Sequence, residues 1–319
     1  MISLNKRAMK VVRKIVDEAE DIGCLVIKMD CGATVIDMGQ ECRGSWEAGL
    51  LFTRADIGDL GLVQYGAFKL DEHYSFASIE MFIDQPLIAC MASQIAGWKL
   101  GKGAFATIGS GPARATAHHP TDWYFEMTDY KDDWHEAVIC LQDVKYPSEE
   151  TALEIAKCCR VKPQDLYILT SPSTCLVASV QVSARILEQS CHKMFEKHFH
   201  AGQVVHARGS APIAPFCKDE TKTMGRINDA LIYGSEVELW VDAEDEDIQK
   251  VIWQLVGVTS SPCYGADFER IFIDADKDFF RIDHDVHSLG KVQIHNLRTG
   301  KAFRAGEINY EVLRRSFLN

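Results

Sequence analysis

The stretch AVICLQDVKYPSEETALEIAKCCRVKPQDLYIL (residues 137–169) indicates the fold class. AVICLQ (137–142) is a short apolar run, which predicts a buried strand. SEETALEIAKCC (148–159) predicts a helix, with Ser148 as its N-cap and two glutamates in its first turn. Another buried strand is predicted from Leu166, so strands and helices alternate, as in an α/β or mixed α+β protein.

The segments on either side continue this alternation, and composition shifts along the chain are too weak to place a domain boundary. A turn rich in glycine is predicted at 225–234, and the motif around 104–115 predicts a strand, a glycine turn and the start of a helix. Further strands are predicted at 25–29, 33–39, 60–68, 236–241 and 291–297, and helices from the N-terminus to about Gly23, around 86–98, at 172–198 and near 246–256.

The composition excludes some functional classes. The 319 residues include 34 Lys and Arg against 46 Asp and Glu, which gives a net charge of −12. Nucleic-acid binding needs a basic face, so we expect no nucleic-acid partner. The eleven cysteines are odd in number and contain no CxxC pair, which predicts reduced core thiols in a reducing compartment.

The N-terminal segment predicts an amphipathic helix rather than a signal peptide, because its basic residues are followed by acidic residues instead of an apolar region. The longest uncharged stretch, 166–184, contains Pro172 and many hydroxyl side chains, so it predicts no membrane span. We therefore expect a cytoplasmic protein with no membrane partner. No HExxH or similar ligand frame is present, so no metal centre is predicted.

Three short motifs could carry chemistry. GSGPAR (109–114) offers backbone N–H groups, a hydroxyl and Arg114 to a phosphate or carboxylate, although a tight strand–helix turn is the more ordinary explanation. RGSAPIAP (208–215) repeats the combination of glycine, serine and proline. MGRINDALIYG (224–234) holds Arg226, Asn228 and Asp229, which could bind a ligand or simply form caps and Asx turns.

A fourth candidate is the pair Arg185 and Glu188, three residues apart on one face of the helix predicted at 172–198. A surface salt bridge is the ordinary explanation of such a pair. In a cleft, the carboxylate beside a fixed guanidinium would stay ionised and could accept a proton from water.

Ordered blocks along most of the chain resemble one family, the methenyltetrahydromethanopterin cyclohydrolases. The blocks are CGATVIDMG (31–39), GSWEAG (44–49), SQIAGW (93–98), GSGPAR (109–114), SARILE (183–188), GSAPIAP (209–215), MGRINDALIYG (224–234) and SSPCYG (260–265). The resemblance implies an α/β fold peculiar to that family. It also implies a homotrimer, and a single unit over residues 1–319 made of two interleaved subdomains with the active pocket between them.

The resemblance also implies the reaction, a reversible C–N hydrolysis of a cyclic amidine. Water adds to the methenyl carbon of 5,10-methenyltetrahydromethanopterin and gives 5-formyltetrahydromethanopterin. This step belongs to one-carbon metabolism, in methanogenesis or in methane and methanol oxidation. Tetrahydromethanopterin, or its dephospho form, is then a coenzyme substrate, and no prosthetic group is expected.

The family's catalytic pair carries over to Glu188 as general base and Arg185 as the group that fixes its geometry and charge. By hypothesis, the residues that hold the pterin and phosphate are Ser93, Gln94, Gly109, Ser110, Gly111, Arg114, Arg226, Asn228, Asp229 and Tyr264. Two alternatives stay open. One is a catalytically silent pterin- or phosphate-binding protein on the same scaffold, and the other is a cyclohydrolase acting on the folate analogue.

Overall fold

The strand, helix and strand predicted from residues 137–169 form as expected: β7 (Ala137–Gln142), α4 (Glu149–Cys159) and β8 (Leu166–Ser171). The two strands pair in parallel, with Ala137 opposite Leu166, and α4 makes the connection between them. Ser148 caps α4 by accepting a hydrogen bond of 3.2 Å from the backbone N–H of Thr151. The fold class predicted from this stretch is therefore confirmed.

The computed structural model describes residues 2–101, 107–118, 125, 130–278 and 281–319. Residues 104–106 of the predicted strand in AFATIGSGPARA thus lie outside the described residues. The described chain divides into two compact units, each made of separated segments. Unit 1 is formed by Met1–Gly61 and Ile88–Gln181, and unit 2 by Leu62–Leu87 and Val182–Asn319.

Unit 1 is built on a mixed sheet whose six described strands run in the order β1-β2-β8-β7-β6-β5. Strands β2, β8 and β7 are parallel, and the remaining pairs are antiparallel. Its elements are β1 (Leu25–Lys28), β2 (Thr34–Asp37), β5 (Trp98–Leu100), β6 (Thr107–Ser110), α1 (Leu4–Asp17), α2 (Trp46–Asp56), a π-helix (Leu87–Gln94) and α3 (Ala113–Ala117).

Neighbouring residues of these strands face opposite sides of the sheet, as the pleat requires. Val138 and Leu169 pack with α1 and α2, whereas Ile139 and Ile168 pack with α4 and with Trp98. Both faces of the sheet are therefore covered by helices, which explains why its central strands read as continuous apolar runs.

Unit 2 is built on a second six-stranded sheet in the order β12-β11-β10-β9-β4-β3. Only β10 and β11 are parallel among the pairs with a described register. Its strands are β3 (Gly61–Lys69), β4 (Ser75–Ile83), β9 (Val204–Pro212), β10 (Glu236–Val241), β11 (Lys291–Asn296) and β12 (Ala302–Gly306). Its helices are α5 (Leu176–Ser183), which begins in unit 1, α6 (Ile186–Glu196), α7 (Glu220–Gly234), α8 (Asp245–Ile252), α9 (Gly257–Ser260), α10 (Phe268–Asp274) and α11 (Tyr310–Leu318).

The single helix predicted over 172–198 is wrong, because the chain breaks at Ala184 and Arg185 into α5 and α6. Ser183 donates its hydroxyl to the carbonyl of Pro212 at 2.9 Å, which fixes the end of α5. Ile186 then packs so closely on β9 that a Cβ at Gly209 would lie 2.7 Å from its methyl carbon. These contacts of distant residues set the direction in which α6 starts.

The turn predicted at 225–234 is also wrong, because these residues form the body of α7. Gly225 lies where α7 meets α10, and a Cβ there would be 2.6 Å from the Cβ of Glu269. Gly234 lies against the ring of Pro212 in the same way. The glycines therefore permit close packing rather than a turn.

Two smaller predictions change at their ends. The first helix ends at Asp17 rather than near Gly23, and the helix predicted around 86–98 is the shorter π-helix followed by β5. All eleven cysteines are buried or half-buried and none forms a disulfide, as expected of core thiols. Among the described residues, no helix combines the length and the apolar character needed to span a bilayer.

Candidate active site

Arg185 and Glu188 lie at the N-terminal end of α6. Arg185 is the N-cap residue, and its carbonyl accepts the first helical hydrogen bond, from Gln189 N–H at 2.8 Å. Glu188 is the third residue of α6, and its side chain is 11% exposed. The N-terminal end of a helix carries partial positive charge, which favours an ionised carboxylate there. The break between α5 and α6 thus provides a favourable electrostatic setting for this carboxylate.

Glu188 is the first of a row of ionisable groups that lie along the same face of α6. His192 Nδ1 lies 3.9 Å from Glu188 Oε1, and His192 Nε2 lies 3.3 Å from Glu196 Oε1. The same Glu196 oxygen lies 2.7 Å from Nδ1 of His284, on the segment His284–Val286. The row therefore leads from a buried carboxylate to His284, which is 74% exposed.

The pKa values in this row are shifted by their neighbours. Burial disfavours ionised Glu196, but hydrogen bonds from His192 and His284 outweigh it and lower the pKa of Glu196 to about 2. Burial also disfavours protonated His192, but the hydrogen bond to Glu196 and the charges of Glu188 and Glu196 raise its pKa above the usual value. Burial lowers the pKa of nearby His287 to about 4. The arrangement therefore increases the affinity of His192 for a proton.

The predicted residues of unit 1 form a buried hydrogen-bonded group around Asp56. Ser110 donates to Asp56 Oδ1 at 2.7 Å, and Ser93 donates to the Asp56 carbonyl at 2.6 Å. Gly111, at φ +98°, donates its N–H to the Ser93 carbonyl at 2.8 Å. Arg114, which has no exposed surface, donates to the carbonyl of Met91 at 3.1 Å. GSGPAR thus forms the expected strand–turn–helix and is tied to the π-helix.

Two other predicted residues of unit 1 contribute packing at the same place. Gln94 ends the π-helix and is fully buried. Gly109 lies in β6, where a Cβ would be 2.9 Å from the terminal carbon of Ile139. A π-helix is rare and often marks a functional site, and this one was not predicted from the sequence.

The predicted residues on α7 lie beside the C-terminal helix α11. Arg226 donates to the carbonyls of Ser316 at 2.9 Å and Asn319 at 3.0 Å, so it satisfies carbonyl groups at the end of α11. Asp229 accepts hydrogen bonds from Phe268 N–H at 2.9 Å and from the Ser316 hydroxyl at 2.7 Å. Asn228 donates to the Met224 carbonyl of its own helix at 2.9 Å.

Arg226 and Asp229 also line a cavity of about 230 Å³. The other lining residues, on or beside α7, α10 and α11, are Lys222, Asp267, Glu269, Arg315, Ser316 and Asn319. Tyr264 packs against Tyr233, with 5.6 Å between ring centroids. Within unit 1, Ser93 is bonded to the GSGPAR motif. Within unit 2, Arg185 and Glu188 lie at one helix end, and Arg226 and Asp229 line one cavity.

Several polar residues that organise these groups were not predicted from the sequence. His192 and Glu196 follow Glu188 at intervals of four, a spacing that places all three on one helix face and was available in the sequence. Asp56 had no local signal, because its partners lie in distant segments.

Asp37, within the CGATVIDMG block, was also missed. It accepts hydrogen bonds from the N–H groups of Gly39, Gln40 and Glu41 and from the Tyr146 hydroxyl. Burial disfavours its charge, but these bonds outweigh burial and hold the pKa of Asp37 below its usual value. The fully buried carboxylate thus shapes the chain after β2.

Comparison with known proteins places the whole chain in one group. A family model described as cyclohydrolase (MCH) matches residues 3–317. The chain is 38% identical to the methenyltetrahydromethanopterin cyclohydrolase of Methanothermobacter marburgensis, over 99% of both chains. It is 37% identical to the enzyme of the same name from Methanocaldococcus jannaschii, over 99% of this chain and 98% of the other. The prediction from the ordered sequence blocks is confirmed, and the chain belongs to the MCH cyclohydrolase family.

Proposed function

We propose that this chain catalyses the reversible hydrolysis of 5,10-methenyltetrahydromethanopterin to 5-formyltetrahydromethanopterin. Two of its full-length relatives are methenyltetrahydromethanopterin cyclohydrolases. The structural observation that carries the proposal is Glu188, a nearly buried carboxylate in the first turn of α6, next to the N-cap residue Arg185. Such a carboxylate suits both a cationic substrate and the activation of water.

The chemistry of the substrate defines what these residues must do. The methenyl bridge is part of an amidinium cation, so its carbon is already electrophilic. Glu188 takes a proton from water as the oxygen attacks this carbon, and a tetrahedral carbinolamine forms. Protonated Glu188 then delivers the proton to the arylamine nitrogen, the C–N bond breaks, and Glu188 takes the remaining hydroxyl proton as the formyl group forms. Arg185 holds the carboxylate in position and favours its ionised form.

We further propose that the remaining predicted residues hold the coenzyme. Ser93 and the GSGPAR group are held by hydrogen bonds to each other, to Asp56 and to Met91, and Gln94 is buried beside Ser93. Arg226 and Asp229 line a cavity, and Asn228 lies beside them on α7. In this proposal Arg114 acts by fixing the backbone of the π-helix, because its side chain is buried. Tyr264 offers a ring face to the pterin.

The proposal also includes the setting of the enzyme. Tetrahydromethanopterin, or its dephospho form, is the coenzyme substrate, and no prosthetic group is required by the proposed steps. From the family resemblance we propose a homotrimer that works in the cytoplasm, in methanogenesis or in the oxidation of methane or methanol.

The proposal is tested by following the ultraviolet absorbance of the methenyl coenzyme after enzyme is added. We expect rapid loss with the wild-type chain and a drop in rate of about a hundredfold or more with Glu188→Gln, because the amide cannot accept a proton. Glu311→Gln is the matched control, since Glu311 lies in the first turn of α11 but is exposed. It should retain the wild-type rate.

Three other outcomes would change the proposal. Equal loss with wild type and Glu188→Gln would move the general base to another residue. Binding of the coenzyme without loss would instead favour a silent pterin-binding protein. Turnover of the methenyl folate analogue at a similar rate would favour a folate-type cyclohydrolase.

A further inference from the structure

A row of ionisable side chains leads from the proposed base to the solvent, and it consists of Glu188, His192, Glu196 and His284. We propose that His192 passes the proton of each catalytic cycle between Glu188 and the solvent. Glu196 orients the ring of His192, and His284 forms the outer end of the path. This inference rests on the proposed function of Glu188. It assigns His192 the role of a relay that acts through Glu188, without contact to the substrate.

The proton balance of the reaction requires a route by which a proton leaves Glu188 for the solvent. The attacking water loses both protons when its oxygen becomes the formyl oxygen, and the arylamine nitrogen gains one proton when the C–N bond breaks. The cationic substrate and water therefore give a neutral product and one proton per turnover. Glu188 receives that proton, yet only 11% of its side chain is exposed. The carboxylate must be deprotonated again before the next cycle.

The geometry gives His192 the correct orientation to receive this proton. Glu196 is ionised and can only accept, so the neutral imidazole donates Nε2–H toward it across 3.3 Å. The lone pair then lies on Nδ1, which is the atom facing Glu188 at 3.9 Å. In the transfer, the Glu188 O–H bond breaks and an Nδ1–H bond forms. A bridging water or a small side-chain movement closes the distance.

The outer end of the row leads to solvent. The imidazolium of His192 releases one proton to water, and the neutral ring again carries Nε2–H toward Glu196 Oε1, which also lies 2.7 Å from the exposed His284. Glu196, with its low pKa, orients both rings and stabilises the imidazolium, so it is a positioning residue. His192 itself is 32% exposed and can exchange protons with water. In the direction of cyclisation the same path runs inward.

The other charged groups near His192 do not cancel the effect of the carboxylates of Glu188 and Glu196 on its pKa. Lys193, on the same helix, is buried and pairs with Asp285 at 2.7 Å, and Lys197 pairs with the same carboxylate. His287, on the segment that follows His284, has a pKa lowered by burial to about 4 and is therefore neutral near pH 7. Neither neighbour prevents His192 from being charged between Glu188 and Glu196.

The test uses His192→Gln in the full chain, assayed with the methenyl coenzyme in dilute buffer. We expect kcat to fall roughly tenfold or more, because glutamine forms hydrogen bonds but carries no proton between them. Added imidazole should restore much of this rate and should leave the wild-type rate unchanged. His206→Gln is the matched control, because His206 also pairs with a carboxylate, Asp84 at 2.8 Å, but lies on β9. It should behave like wild type.

A pH profile separates a relay from a structural role. Wild type should lose rate in hydrolysis as the pH falls through the pKa of His192, and His192→Gln should lack this limb. In Glu196→Gln the limb should move to lower pH, because the hydrogen bond that raises the pKa of His192 is weakened. If His192→Gln does not fold, His284→Gln is assayed in its place, because His284 lies on an exposed turn. It should lower kcat in dilute buffer and recover with imidazole.

Several results would overturn the relay. One is a wild-type rate for His192→Gln at every buffer concentration. Another is a lower rate that imidazole does not restore and whose pH profile matches wild type, which would leave a structural role only. If His192→Gln does not fold, wild-type kinetics for both His284→Gln and Glu196→Gln would overturn it. Failure of the proposed function is recognised separately, since the wild-type chain itself would then not convert the coenzyme.

Discussion

At the scale of single residues, two buried carboxylates have pKa values that are shifted in opposite directions. Asp37 receives four hydrogen bonds, and its pKa is held below the usual value. Asp229 is equally buried but receives two, from Phe268 and Ser316. Burial outweighs these two bonds and raises the pKa of Asp229 to about 7. Both residues are 1% exposed or less, but Asp229 has fewer donors, is surrounded by protein more deeply and also faces the negative charge of Asp267.

The raised pKa of Asp229 predicts a pH-dependent loss of stability. The folded state binds this proton more tightly than the unfolded chain, in which an aspartate has its ordinary pKa of 3.8, so the free energy of unfolding falls as the pH rises from about 4 to 7. At 1.36 kcal/mol per pKa unit the loss is of the order of 4 kcal/mol. Asp229→Asn keeps an acceptor for Phe268 and removes the charge. The free energy of unfolding of Asp229→Asn, compared with that of wild type, should therefore be more favourable at pH 8 than at pH 5.

Urea denaturation at the two pH values measures this difference. Glu311→Asn is a suitable control, because it removes an exposed carboxylate from a neighbouring helix. If Asp229→Asn were less stable than wild type by the same amount at both pH values, the carboxyl group would be uncharged or fully compensated throughout this range.

Local sequence patterns predicted part of this residue-level picture. Arg185 and Glu188 could be singled out, and both lie at one helix end. The sequence context of their partner His192 indicates a solvated histidine, although its spacing from Glu188 and Glu196 contained the relevant signal. The roles of Asp56 and Asp37 could not be predicted from local pattern, since their partners Ser110 and Tyr146 are far away in the chain.

At the scale of elements, strands were predicted better than helix boundaries. β7 and β10 begin and end where AVICLQ and EVELWV do. The first is a continuous apolar run because both faces of β7 are buried, and the second alternates because alternate residues of β10 are buried. The helix from 172 to 198 was predicted as continuous because its apolar spacing is uninterrupted. Only contacts with β9 reveal the break, and these are tertiary.

The packing of α7 on α10 predicts an unusual response to a helix-favouring substitution. Alanine has a higher helix propensity than glycine by about 1 kcal/mol. In Gly225→Ala, however, the new Cβ would lie 2.6 Å from Glu269 Cβ and 2.9 Å from its backbone N. Overpacking of this kind typically costs about 1–3 kcal/mol, so we expect net destabilisation.

Thermal unfolding of Gly225→Ala beside Lys222→Ala measures this cost. Lys222 lies one turn earlier on α7 and lines the cavity, so its truncation meets no packed backbone. A Tm for Gly225→Ala above that of wild type would show that α10 moves aside without penalty.

At the scale of the whole molecule, the chain crosses between the two units three times. The hairpin strands β3 and β4 precede most of unit 1 in sequence but belong to the sheet of unit 2. Composition gave no boundary because neither unit is a continuous segment. The order of sequence blocks was more informative at this scale, since it indicated the family without locating any boundary.

This interleaving predicts that residues 182–319 do not fold alone. Without β4, the strand β9 loses the pairing of Ala207–Pro212 with Ser78–Ile83 and exposes an unpaired edge. We expect the fragment to aggregate. Joining residues 62–87 to residue 182 through a flexible linker of about 20 residues, which reaches roughly 25 Å, should restore a cooperative unfolding transition.

Circular dichroism and light scattering of the two fragments distinguish the cases. A fragment 182–319 that stays monodisperse and unfolds cooperatively would mean that β9 does not need β4. The joined fragment also serves as the control for expression and handling, since it contains the same residues in addition to the hairpin.

The position of the β3–β4 hairpin also affects the order of events while the chain is being made. Residue 83 leaves the ribosome 121 residues before residue 204, where the partner strand begins. At about 5–20 residues per second, the hairpin waits on the order of ten seconds with one edge unpaired. Codon usage across residues 84–204 would therefore set the time during which a nascent chain can pair with the wrong neighbour.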